Sequence, residues 1–68
     1  MDYEQAVRAM KLRLPITYQF GQNKCKYKNI NKIVTQIEFG EVKVMAELQD
    51  AKRDDVIFLG YLDRMDVK

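Results

Sequence analysis

Residues 33–48 read Ile-Val-Thr-Gln-Ile-Glu-Phe-Gly-Glu-Val-Lys-Val-Met-Ala-Glu-Leu, and the period of two on either side of the single glycine decides the fold. Ile33, Thr35, Ile37 and Phe39 alternate with polar neighbours as a half-buried strand requires, and Gly40-Glu41 supplies a tight reversal. The chain then returns through Val42, Val44, Ala46 and Leu48, so residues 33–48 are predicted to form an antiparallel hairpin with one apolar face. Upstream, Lys24 to Lys28 continues the alternation, with Cys25 and Tyr27 on one face and Lys24, Lys26 and Lys28 on the other. Further upstream still, Ile16, Tyr18 and Phe20 alternate with Thr17 and Gln19, and Gly21-Gln22-Asn23 breaks the run as a turn. Downstream, Asp50 to Asp55 is a polar loop followed by Val56-Ile-Phe-Leu, an apolar run that fits a strand covered on both faces. Gly60 is predicted to permit a bend, residues 62–66 a single helical turn, and Val67 the centre of a short last strand.

Only the start of the chain has the rhythm of a helix. Tyr3, Ala6, Val7, Met10 and Leu14 recur at helical spacing between Asp2 and about Arg13. Asp2 with Gln5 three residues on resembles a capping box, and Lys11 and Arg13 lie where the helix dipole favours cations. Pro15 is predicted to end the helix, because the residue before a proline is pushed out of the α region. The expected fold class is therefore α+β, mainly β. One N-terminal helix over 2–13 precedes four to five antiparallel strands over 16–68, forming a small SH3-like barrel or a bent meander within one domain. The helix is expected to lie as a lid on the core, since an isolated helix of this length is marginal in water.

Composition restricts the chemistry. The 68 residues include no His, no Ser and no Trp, and Cys25 is the sole cysteine. A Ser-His-Asp triad cannot be assembled, a cysteine nucleophile has no imidazole to deprotonate it, and common zinc ligand sets cannot be filled. An enzyme is not expected, nor a cofactor. With 47% apolar and 32% charged residues the chain should fold. A domain of this size buries only roughly 60% of the surface its unfolded chain exposes, so a second copy or a partner would add noticeable stability. The start Met-Asp-Tyr-Glu lacks a basic and apolar leader, and no apolar run approaches the roughly 20 residues of a membrane span. A cytoplasmic location without membrane contact is the expectation.

Charge is distributed unevenly. Residues 1–34 carry seven Lys or Arg against two acids, and residues 35–68 carry five against eight. The bases gather at Lys24, Lys26, Lys28 and Lys32 with Tyr18 and Tyr27 nearby, and basic rows interleaved with aromatics hold single-stranded nucleic acid. A lysine row also keeps an exposed β-edge soluble, and that is the preferred reading because Tyr27 should point to the core. Asp50, Asp54 and Asp55 invite a calcium reading, but the alternating oxygen ligands and the turn glycine are out of register, and Lys52 and Arg53 would repel the ion. Glu38, Glu41 and Glu47 would need a cleft to separate their pKa values before acting as acid and base. Cys25 is read as a small apolar core residue.

The elements Tyr3-x-x-Ala6, Ala9-Met10-Lys11, Pro15-Ile-Thr-Tyr18, Tyr27-Lys-x-Ile30, Ala46-Glu-Leu-Gln-Asp50 and Val56-Ile-Phe together resemble a pattern found in small proteins of Gram-positive phages and mobile elements. The resemblance implies a compact SH3-like β-barrel working in a bacterial cytoplasm, and it implies no site residues. The expected function is a non-catalytic module that binds another protein, through a strand edge or the acidic second half. Two alternatives stand beside it. One is a nucleic-acid-binding accessory protein using Lys24, Lys26, Lys28 and Lys32; the other is a self-assembling subunit whose oppositely charged halves pair head to tail.

Overall fold

A computed structural model describes residues 1–67 of the chain. The element order is α1 (Tyr3–Lys11), β1 (Ile16–Phe20), β2 (Asn23–Glu38), β3 (Glu41–Asp50), β4 (Ile57–Tyr61), a 3-10 turn over Leu62–Arg64 and β5 (Met65–Val67). The five strands form one antiparallel sheet in the order β4-β3-β2-β1-β5. The fold is thus α+β and mainly β, as the periodicity predicts. The sheet is bent but not closed into a barrel: β4 pairs only with β3 and β5 only with β1.

The helix begins as its capping box dictates, with the Asp2 carboxylate accepting from the Gln5 N–H at 2.8 Å and the Gln5 side chain accepting from the Asp2 N–H at 3.0 Å. It ends before Pro15 acts. Leu14 N–H donates to the Ala9 carbonyl and Arg13 N–H to the Met10 carbonyl, a Schellman closure in which Arg13 takes the left-handed conformation at φ 53°. Of the predicted stripe, Ala6 is buried and Met10 and Leu14 pack against the core, but Tyr3 is exposed, and Ala9, outside the stripe, is buried as well. Small side chains let the helix approach the strands closely.

The long β2 serves two neighbours, and it bends to do so. Its first part pairs with β1 from Phe20↔Asn23 to Ile16↔Tyr27, which makes Gly21-Gln22 a two-residue reversal instead of the predicted three-residue turn. Along β3 the register slips twice, leaving Lys28 and Asn31 unopposed between Tyr27↔Asp50, Asn29↔Gln49, Ile30↔Leu48 and Lys32↔Glu47. Each slip adds twist and re-aims the following side chains, which is why Asn29 and Ile30, adjacent in sequence, are both buried. The core gathers Ala6 and Ala9 from the helix, Ile16 and Tyr18 from β1, Ile30 from β2, Ala46 and Leu48 from β3, and Leu62 and Met65 beyond β4.

Curling of the sheet brings β4 over β1. Phe58 lies 5.0 Å from both the Tyr18 and Phe20 ring centres and stacks on Tyr27 at 5.8 Å, and the Tyr18 hydroxyl accepts from the Tyr61 N–H at 3.2 Å. Gly60 sits in this contact. It continues the strand opposite Ala46 and makes no bend; it is glycine because a Cβ there would collide with the Tyr18 ring and come within 2.8 Å of Phe58 Cε2. The apolar run at β4 is likewise not covered on both faces, since Ile57, Leu59 and Tyr61 are exposed on alternate positions.

Candidate functional site

The four lysines do not form one row. Lys24 and Lys26 face an open groove of about 550 Å³ that Thr17, Gln19, Arg64 and the carboxylates of Asp63 and Asp66 also line. Lys28 is the unopposed residue of the first bulge, and Lys32, beyond the second, lies 3.7 Å from Glu47. The acids beside Lys24 and Lys26 cancel much of the field that a phosphate backbone would need. The aromatics lie on the other face. Tyr18 is buried, and the hydroxyl pKa of Tyr27 is raised, chiefly by burial and then by Cys25, Asp50 and Tyr18. The lysines and the rings therefore do not combine into a stacking platform.

Cys25 is exposed, contrary to the core placement read from its alternation with Tyr27. It lies opposite Tyr18, two positions from the Phe20↔Asn23 pair that closes the β1–β2 reversal. Asp50 organises its loop instead of holding a cation. Its Oδ2 accepts from the N–H groups of Lys52 and Arg53, both at 2.9 Å, and these bonds, with the two nearby cations, hold its carboxyl below the ordinary value. Gln49 closes the same loop by donating to the carbonyls of Arg53 and Val56. Among the described residues, no group of three or more Cys, Asp or Glu stands within reach of one metal ion. Glu47 pairs with Lys32 and Asn31, while Glu38 and Glu41 face each other on exposed positions near the end of the sheet.

That end of the sheet is the least ordinary surface of the molecule. The ladder runs out to Glu38↔Glu41, so the reversal is Phe39-Gly40, one residue earlier than the predicted Gly40-Glu41. Both central residues are left-handed, Phe39 at φ 50° and Gly40 at φ 78°, as a type I′ reversal requires. Asparagine is the favoured first residue of such a turn. A bulky residue in this conformation costs roughly 1–2 kcal/mol, and Phe39 is 100% exposed, so no burial offsets the strain. The facing like charges of Glu38 and Glu41 add a further unfavourable cross-strand pair.

Behind Phe39, Ile37 and Val42 form a direct cross-strand pair with exposures of 74% and 64%. Thr35 and Val44 follow on the same face, and Val44 packs against the core. The apolar face of the hairpin thus overhangs the body as a finger. At its base lies a cleft of about 390 Å³ lined by Tyr3, Val42, Lys43, Val44, Tyr61 and Leu62, among others. The sequence holds a signal for this finger. In two-residue reversals the glycine prefers the second position, as in Asn-Gly, and applying that preference puts Phe39 at the first.

Among the described residues, no helix is long and apolar enough to cross a membrane. No protein-family model, no curated protein and no solved structure matches this chain.

Proposed function

We propose that this chain is a non-catalytic binding module that docks on a polypeptide through the β2–β3 finger. The observation that carries this reading is Phe39, a large apolar side chain held fully in water in a backbone conformation that disfavours it. Folding gains nothing from such a residue, and consistency between local preference and global fold breaks most often where a site is built. Ile37 and Val42 extend the apolar surface, and Glu38 and Glu41 rim it with negative charge. The acidic rim disfavours anionic targets, whether nucleic acid or lipid, and favours an apolar pocket with basic edges. The likeness to small phage and mobile-element proteins adds the expectation that the module works as an accessory protein in a bacterial cytoplasm.

The test is a photo-reactive benzoylphenylalanine at position 39 in cells that express the protein. A polypeptide adduct that Ile37→Lys removes supports the reading, because Ile37 shares the docking face. Adducts only to nucleic acid, or none at all, overturn it.

A further inference from the structure

We infer that the groove between β2 and β5 binds a small acidic amino acid, a ligand with two carboxylates and one ammonium. The groove lies at the other end of β2 from the finger and does not depend on the finger's role. Its floor is β1, and the pairing sets Lys26, Thr17 and Asp66 side by side on β2, β1 and β5, with Lys24 beside Gln19 two positions along. Ile16 and Tyr18 belong to the core, so Thr17 faces the other side of the sheet, where the hollow measures about 550 Å³. That volume suits a small ligand.

The observation that points to a ligand is Thr17. Its Oγ1 is buried and has no hydrogen-bond partner, the sole such side-chain atom among the described residues. A buried hydroxyl left unpaired is a standing cost to folding, and a valine of the same shape would avoid it. Lys26 and Asp66, on either side of it, are exposed and can change rotamer quickly. A ligand that draws them onto itself uncovers the hydroxyl and gives it a partner.

Charge selects the class of ligand. Lys24 and Lys26 stand roughly 7 Å apart along β2, and Asp66 lies two strands away, roughly 10 Å from Lys26. Asp63 and Arg64 line the β5 side as well and offset each other. Two positive charges therefore remain on one wall and one negative charge on the other. None of these five side chains is in an ion pair among the described residues, where the one such pair is Lys32 with Glu47. A polyphosphate would meet Asp66, and a polyamine would meet both lysines. A dicarboxylic amino acid satisfies both walls, with a carboxylate on each lysine and its ammonium on Asp66. The Asp66 Oδ1 already accepts from the Val67 N–H at 3.0 Å, so Oδ2 takes the ammonium, and the Thr17 hydroxyl donates to the nearer carboxylate.

Titration of the purified, isotope-labelled chain with L-glutamate, followed by proton–nitrogen correlation spectra, reads both affinity and location. Saturable shifts at Thr17, Lys24, Lys26 and Asp66 are expected, with a dissociation constant below about 5 mM. Lys26→Gln and Asp66→Asn should each weaken glutamate at least about fivefold. Glutarate, which lacks the ammonium, should bind the parent at least about fivefold more weakly than glutamate does and lose nothing further in Asp66→Asn. Thr17→Val should keep or raise the melting temperature and still weaken glutamate, whereas Thr17→Ser, which retains the hydroxyl, should bind it as the parent does. Shifts that do not saturate by about 50 mM glutamate, or that equal sodium chloride reproduces, overturn the inference, because they describe an ordinary charged sheet face. Glutamate affinity unchanged in Thr17→Val overturns it as well.

Discussion

The two ends of the β2–β3 ladder are built from the same kinds of residue and meet opposite fates. Near its inner end Ile30 faces Leu48 and Ile33 faces Ala46, and all but Ile33 are fully buried. At its outer end Ile37 faces Val42, and both stand largely in water. The alternation that forms the strands is the same in both places. The difference is what lies above: the inner pairs share the core cluster with Ala6, Ala9 and Leu62, whereas among the described residues none packs over the outer pair closely enough to bury it. Apolar alternation therefore specifies a strand face, while burial of that face depends on other elements.

The contrast should be largest in core truncations. Leu48→Ala, at a fully buried position, is expected to cost about 2–5 kcal/mol, whereas Ile37→Ala should stay within about 0.5 kcal/mol. Urea midpoints of the two variants measure this directly. Equal losses would mean that the finger is packed against the body and that the two ends do not differ.

Gly60→Ala is next in size. The added methyl would collide with the Tyr18 ring and come within 2.8 Å of Phe58 Cε2, and overpacking of this kind costs typically about 1–3 kcal/mol. The same substitution at an open position would have little effect, so a melting temperature unchanged in Gly60→Ala would show that β4 does not lie over β1 as described.

The two left-handed non-glycine residues allow a finer comparison. Arg13 ends the helix and Phe39 leads the outer reversal, at φ 53° and 50°. Arg13→Gly and Phe39→Asn should each raise stability by up to about 1 kcal/mol, because both new residues enter this region with less strain. Loss of stability in Phe39→Asn under dilute, monomeric conditions would give Phe39 a folding role and remove the reason to treat the finger as a site.

The smallest effect is expected at Asp50, whose carboxylate is stabilised by the Lys52 and Arg53 N–H groups. Its pKa is lowered in the folded state relative to the ordinary 3.8. The associated stability is therefore present above that value and is lost as pH falls through the lower folded value. Asp50→Asn should make the acid limb of a plot of melting temperature against pH slightly shallower below about pH 4. An acid limb unchanged by Asp50→Asn would mean that these bonds do not persist in solution.

Much of the fold was legible before the structure. The Asp2–Gln5 capping box, the strand alternation of Ile16–Phe20 and of residues 33–48, the pairing of β2 with β3 and the short turn and strand at the end all follow from the sequence. The finger was legible in part: its strands were, but its tip was misplaced by one residue, which made Phe39 a strand residue instead of the residue that leads the turn. The lysine row was misleading. Residues two apart share a face only while the register holds, and the bulges at Lys28 and Asn31 separate Lys32 from Lys24 and Lys26.

By itself the sequence determined what depends on neighbours a few positions apart: caps, periods, turn candidates and the lack of His and Ser. These are set by hydrogen bonds and side-chain spacing within one or two turns of chain. Only the tertiary structure decided that the sheet stays open, that Gly60 makes room for the Tyr18 ring, that Cys25 lies in water and that Ile37, Phe39 and Val42 stand uncovered. Each of these is a statement about removal from water by residues distant in sequence, and the apolar character of a side chain does not say whether another part of the chain will reach it.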